Sequence, residues 1–155
     1  MAGSWDPNDF LGLVDCAYAI TRCYDTRYNC FAWAANSITA WWQPTIGKGI
    51  YWPPSVPLWN ESIWNYAAAF ATLGYVECHD ASLEEGWEKI ALFATLENGE
   101  LIAQHAARQL RDGMWTSKLG DFEDIIHMTL EAVSCDEYGV DLLYMKRPRT
   151  KPMYY

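Results

Sequence analysis

The clearest alternation along the chain lies between Lys89 and Leu110. Lys89 to Leu96 reads as a strand, Asn98-Gly99 as a two-residue hairpin turn, and Leu101 to Leu110 as the returning antiparallel strand. Arg111-Asp112-Gly113 turns the chain again into a third strand, Met114 to Lys118. A helix is expected over about Asp121 to Val133, and a last strand, Val140 to Met145, closes the sheet. Upstream the pattern changes. Asn8 is placed to cap a helix running to about Cys23, and Cys30 to Trp42 reads as a helix apolar on all sides, stopped by Pro44. Residues 43–59 are a Pro-, Gly- and Trp-rich loop. A further helix begins at Asn60 or Ser62 and ends at Gly74, followed by a short strand from Tyr75 to Cys78. Helices first and a meander afterwards give an α+β layout in one domain over residues 1–155.

The composition narrows the function. The chain has 155 residues, 51% of them hydrophobic, with nine Trp and ten Tyr, so some rings must lie at the surface or line a cleft. The net charge of −9 repels phosphate backbones and argues against nucleic acid as a partner. The basic run Lys146-Arg147-Pro148-Arg149-Thr150-Lys151 reads as a solvated tail. No apolar stretch reaches membrane-spanning length. Five cysteines, an odd number, with no leader pattern point to a reducing cytoplasm rather than a disulfide framework. The six-residue gaps between Cys16, Cys23 and Cys30 do not suit a structural zinc site, and Cys78-His79 adds at most two ligands, so neither metal nor cofactor is expected. Gly47-Lys48-Gly49 lacks the rest of a phosphate loop.

The candidate chemistry is nucleophilic. A thiol attacks as thiolate, and a helix start favours that charge while its free N–H groups hold an oxyanion. Cys30 is placed at such a start and His105 lies within a strand of the meander, a base on a rigid element. The competing reading is structural: a buried cysteine is an inert small hydrophobe, and a strand histidine is commonly a packing residue. The third group depends on register. A two-residue Asp112-Gly113 turn puts Thr116 and Lys118 on the face of His105, whereas a three-residue turn with a bulge makes Ser117 its diagonal neighbour. Ser117 is preferred. Asp121 and His127 remain alternatives, against their readings as a helix cap and a helix-face histidine. Gln104 and Gln109 are candidate oxyanion donors or ordinary strand polar groups, and Asn29 is expected to cap the Cys30 helix.

Asn29-Cys30-Phe31-Ala32-Trp33-Ala34 resembles the nucleophile helix of NlpC-type, papain-like cysteine peptidases, and His105-Ala106-Ala107-Arg108 resembles their strand that opens with the base. A longer set, from Tyr28-Asn29-Cys30 through Tyr51-Trp52-Pro53, Glu88-Lys89-Ile90-Ala91 and Trp115-Thr116-Ser117-Lys118-Leu119-Gly120 to Asp124-Ile125-Ile126-His127, looks like a bacterial family of unknown function over about residues 28–148. The resemblance implies a papain-like fold, with the nucleophile helix packed on an antiparallel meander. It also implies hydrolysis of a peptide, isopeptide or amide bond in a peptide or protein substrate through a Cys30 thioester. The rival expectation is a non-catalytic binding, immunity or adaptor module that uses an aromatic groove.

Overall fold

The computed structural model describes residues 18–23, 25–119 and 123–149. Its centre is a seven-stranded sheet. The strands are β1 (Tyr18–Arg22), β4 (Val76–Cys78), β5 (Trp87–Glu97), β6 (Glu100–Gln109), β7 (Trp115–Lys118), β8 (Asp124–His127) and β9 (Val140–Pro148), in the order β1-β8-β7-β6-β5-β9-β4, every pair antiparallel. A two-stranded parallel ribbon joins β2 (Trp41–Trp42) to β3 (Ile50–Tyr51). Two short helices, α1 (Cys30–Ala34) and α2 (Ile63–Ala71), complete the set with a 3-10 turn at Glu131–Val133. No helix among the described residues is long and apolar enough to cross a membrane.

This corrects the α+β, papain-like expectation: the fold is mostly antiparallel sheet. The helix expected over Cys30 to Trp42 ends at Ala34. Asn36 turns left-handed at φ 62°, and Ser37 N–H returns to the Ala32 carbonyl, which closes the helix and frees Trp41 and Trp42 to pair with β3. The helix expected over Asp121 to Val133 is instead strand β8, paired on both edges by β7 and β1, followed by the 3-10 turn. Of the helix expected from Asn8 to Cys23, the described part is β1; the rest lies outside the described residues, as does Asp121.

The hairpin and α2 form where local chemistry directs them. Asn98 and Gly99 both have positive φ, 51° and 81°, the geometry of a two-residue turn matched to strand twist. Ser62 caps α2 by accepting from Asn65 N–H at 3.2 Å, and Gly74 follows the helix at φ 92°.

The sheet is covered on both faces. On the first, Ile90, Leu92, Ala94, Ala103 and Ala106 meet α1, α2 and the aromatic rings of Tyr28, Trp33, Trp42 and Phe70. On the second, Ala91, Phe93, Ala107, Trp115 and Ile125 meet the segment carrying Leu130, Ala132, Val133 and Tyr138.

Candidate functional site

Cys30 opens α1 as expected. Asn29 caps the turn: its Oδ1 accepts from Ala32 N–H at 3.0 Å and Trp42 N–H at 3.1 Å, and its Nδ2 donates to the Trp42 carbonyl at 2.9 Å. A five-residue helix supplies little dipole, and Cys30 is buried, 7% exposed as a residue. Burial pushes it up to about 12, outweighing the backbone amides of Ala106, Phe31 and Cys30 itself and the more distant Lys118 ammonium.

His105 does not share that layer. Paired residues of an antiparallel ladder point to one side, and His105 pairs with Phe93 while its neighbour Ala106 pairs with Leu92. Leu92 and Ala106 belong to the helix-covered face with Cys30; Phe93 belongs to the other. The thiol and the imidazole therefore stand on opposite faces of the sheet, and a proton cannot pass between them directly.

The structure brings together a different set. Leu110 N–H bonds the Met114 carbonyl at 2.7 Å, so Arg111-Asp112-Gly113 is a three-residue turn. With Arg108 opposite Thr116, Ser117 becomes the diagonal neighbour of His105. Ser117 Oγ lies 3.0 Å from His105 Nε2 and 2.8 Å from His127 Nε2, and His127 Nδ1 lies 2.7 Å from the Thr129 carbonyl. A carbonyl only accepts, so His127 Nδ1 carries its hydrogen and Nε2 is a bare acceptor. Ser117 then donates to His127 and accepts from His105 Nε2–H, which leaves His105 Nδ1 a lone pair without a hydrogen-bond partner. All three side chains are fully buried. The His105 ring stacks on Tyr138 at 4.2 Å and meets Phe93 edge-on. Burial, with the His127 charge as a lesser cause, pushes His105 well below the ordinary imidazole range, and burial brings His127 down to about 4.

The remaining candidates are structural. Gln104 Nε2 donates to Thr95 Oγ1 at 3.0 Å and Glu97 Oε2 at 2.8 Å, and Gln109 Nε2 donates to the Ala81 carbonyl at 2.9 Å. Cys78 and His79 line an open cavity with Glu77, Asp80, Glu84 and Lys146, but its carboxylates are taken: Asp80 and Glu84 hold the buried Lys89 ammonium, and Glu84 also holds Lys146. The described part of the basic run is likewise bound rather than a solvated tail, since Lys146 meets Glu84 and Arg147 and Arg149 both meet Glu88; Thr150 and Lys151 lie outside the described residues.

The aromatic loop forms a built surface. Ile46, Tyr51, Leu58, Trp59 and Trp64 are exposed, Trp59 at 73% and Trp64 at 60%. Beside them Ile46, Ile50, Trp52, Pro54, Val56 and Leu58 line a shallow cavity of about 290 Å³. Trp59 sits at φ 64°, a conformation that costs a bulky residue about 1–2 kcal/mol. Its surroundings hold it there: Trp59 N–H bonds the Pro44 carbonyl at 2.7 Å, Trp52 Nε1 and Asn65 Nδ2 both donate to the Pro57 carbonyl, and Asn65 Nδ2 also donates to the Asn60 carbonyl. The sequence signalled an aromatic loop but not this strain, because nothing in the order of residues fixes a positive φ on a tryptophan.

A family model described as Domain of unknown function (DUF7689) matches residues 19–146. No curated protein and no solved structure matches the chain.

Proposed function

The chain belongs to the DUF7689 family, and we propose that it is a non-catalytic binding module that docks a partner polypeptide on the surface of residues 44–64. The observation that carries this is Trp59: a large ring, mostly exposed, in a strained conformation that partly buried hydrogen bonds of its loop maintain. Strain of this kind persists where the surroundings impose it, and it clusters at binding surfaces. A rigid, exposed aromatic ring beside an apolar cavity is the usual form of an interface anchor. The rim is acidic. Glu61, between the two exposed tryptophans in sequence, is exposed, and its carbonyl accepts from Ala103 N–H, beside the hairpin whose exposed tip carries Glu97 and Glu100. With a net charge of −9, the partner that fits is a segment with one apolar anchor flanked by Lys or Arg, able to stack on the rings and neutralise the carboxylates. Papain-like hydrolysis through Cys30 and His105 has less support, because the sheet separates the two groups.

The test uses immobilised synthetic peptides with one Leu or Trp anchor flanked by Lys or Arg, beside the same peptides with Asp or Glu. The protein is expected to retain the basic set, and Trp59→Ala or Trp64→Ala to weaken it about tenfold or more, the size of an interface hot spot. Leu83→Ala, at an exposed leucine outside the surface, serves as control and leaves binding unchanged. Equal retention of acidic and basic peptides, or full binding by both tryptophan variants, overturns the proposal.

A further inference from the structure

The His105–Ser117–His127 relay has no part in that docking surface, and its geometry asks for a role of its own. It fastens one segment to the sheet at two points. His127 Nδ1 bonds the Thr129 carbonyl at one end, and the His105 ring stacks flat on Tyr138 at the other. Between them run the 3-10 turn Glu131–Val133 and a tight bridge in which Gly139 N–H bonds the Cys135 carbonyl at 2.7 Å. This segment is the cover of the second apolar face, over Phe93, Trp115 and Ile125.

We propose that the relay is an acid-sensitive latch, which holds residues 129–139 on the sheet while both histidines are neutral and releases them when either gains a proton. A further hydrogen leaves one group of the buried relay without a partner, although the His127 Nδ1–H bond to Thr129 survives it. A proton on His127 Nε2 meets the Ser117 hydroxyl, which must then swing its own hydrogen away from the ring that accepted it. A proton on His105 Nδ1 finds no acceptor, since that atom is buried and unpartnered.

The elements packed around the rings bond no compensating charge to them; Glu123, directly before β8, has a buried carboxylate oxygen, but it bonds neither ring. The faces of β5, β7 and β8 turned to them carry Phe93, Trp115, Ser117 and Ile125. Among the covering residues only Tyr138 and Cys135 are titratable on the inner side, and Glu131 is exposed. From β9 come Tyr144 and Asp141, whose carboxylate is taken by the Tyr144 hydroxyl, and from β1 comes Tyr18 opposite His127. No carboxylate bonds either ring among the described residues.

The direction follows from linkage. Both histidines are held below the ordinary imidazole pKa while the segment is closed. The opened state therefore binds more protons, and opening grows as pH falls below about 6.5, by up to about tenfold per pH unit for each histidine released.

Amide hydrogen exchange of the full chain from pH 7.5 to 5, corrected for the intrinsic exchange rate, reads the latch. Protection across residues 129–139 is expected to fall at least tenfold, while amides of residues 90–93 keep theirs. His127→Gln, which retains a side-chain donor and acceptor but not the proton site, is expected to flatten that pH dependence. Constant protection at 129–139, parallel loss at 90–93, or an unchanged pH dependence in His127→Gln overturns the proposal. If His127→Gln does not fold, an NMR titration of the wild-type rings decides. Imidazole pKa values near 6.5, or ring protonation without chemical-shift change at Thr129 and Tyr138, likewise overturn it.

Discussion

Cys30 shows how one residue can satisfy part of a chemical requirement and fail the rest. It stands at a capped helix start beside backbone amides, yet burial and the short helix leave its thiol protonated, pushed up to about 12. Alkylation by iodoacetamide at pH 8 is therefore expected to reach the exposed Cys23 well before Cys30, as mass spectrometry of the digested protein would read. Preferential labelling of Cys30 at mildly acidic pH would instead mark an activated thiolate and restore the hydrolase reading. The sequence carried the cap and the helix start, because both are local. It did not carry the face on which His105 lies. Residues 90–94 are apolar on both sides and His105 has alanines after it, so alternation assigns no inside, and a bulge beside Gln104 resets the count between Ala103 and His105. Ser117 was within reach, since the length of the Arg111-Asp112-Gly113 turn decides whether it becomes the diagonal neighbour of His105.

At the scale of elements, what could be read from sequence divides by how local its cause is. The β5–β6 hairpin rests on Asn98-Gly99, and α2 rests on Ser62 and Gly74, each within a few residues of the element it defines. Strand β8 has no such signal. Asp124 to His127 becomes a strand because β7 and β1 pair with it on both sides, and those partners override its local preference. The covering segment depends on an equally non-local contact. Gly139, at φ 75°, passes so close to β5 that a Cβ there would stand 1.9 Å from the Ala94 carbonyl oxygen. Gly139→Ala must move backbone, not merely strain itself. It is expected to destabilise the fold by well over the ~1 kcal/mol of a left-handed alanine alone. Gly49→Ala, at φ 77° with nothing within 4 Å of the added carbon, supplies that smaller reference value. Urea unfolding of the two variants side by side measures the difference, and equal losses would refute the close approach.

Across the whole molecule, buried titratable groups lie on both faces of the sheet and oppose one another as pH changes. On the first face Asp124 accepts from the Tyr28 hydroxyl at 2.5 Å, while its Oδ1 has no hydrogen-bond partner. Burial raises it to about 6, although Tyr28, Lys118 and Arg22 pull it back. A carboxylate raised on folding adds stability that is complete below about pH 3.8 and is lost as pH climbs through about 6. His127, lowered to about 4, works the other way: its contribution is complete above about 6.5 and is lost as pH falls toward 4. In the shared window the folded protein holds a proton on Asp124 that the unfolded chain lacks, and the unfolded chain holds one on His127 that the folded protein lacks. These two cancel, and His105, lowered well below the ordinary imidazole range, leaves a net difference of up to one proton. Asp124→Asn removes the opposing group and raises that difference to as many as about two. Plotted between pH 4.5 and 6, the unfolding free energy of the wild type should rise with pH by up to about 1.4 kcal/mol per unit, and that of the variant by up to twice as much. An unchanged or shallower slope in Asp124→Asn would mean that Asp124 is not raised on folding. The wild-type slope would then rest on the histidines alone, so the comparison separates the charges of the two faces without disturbing the latch.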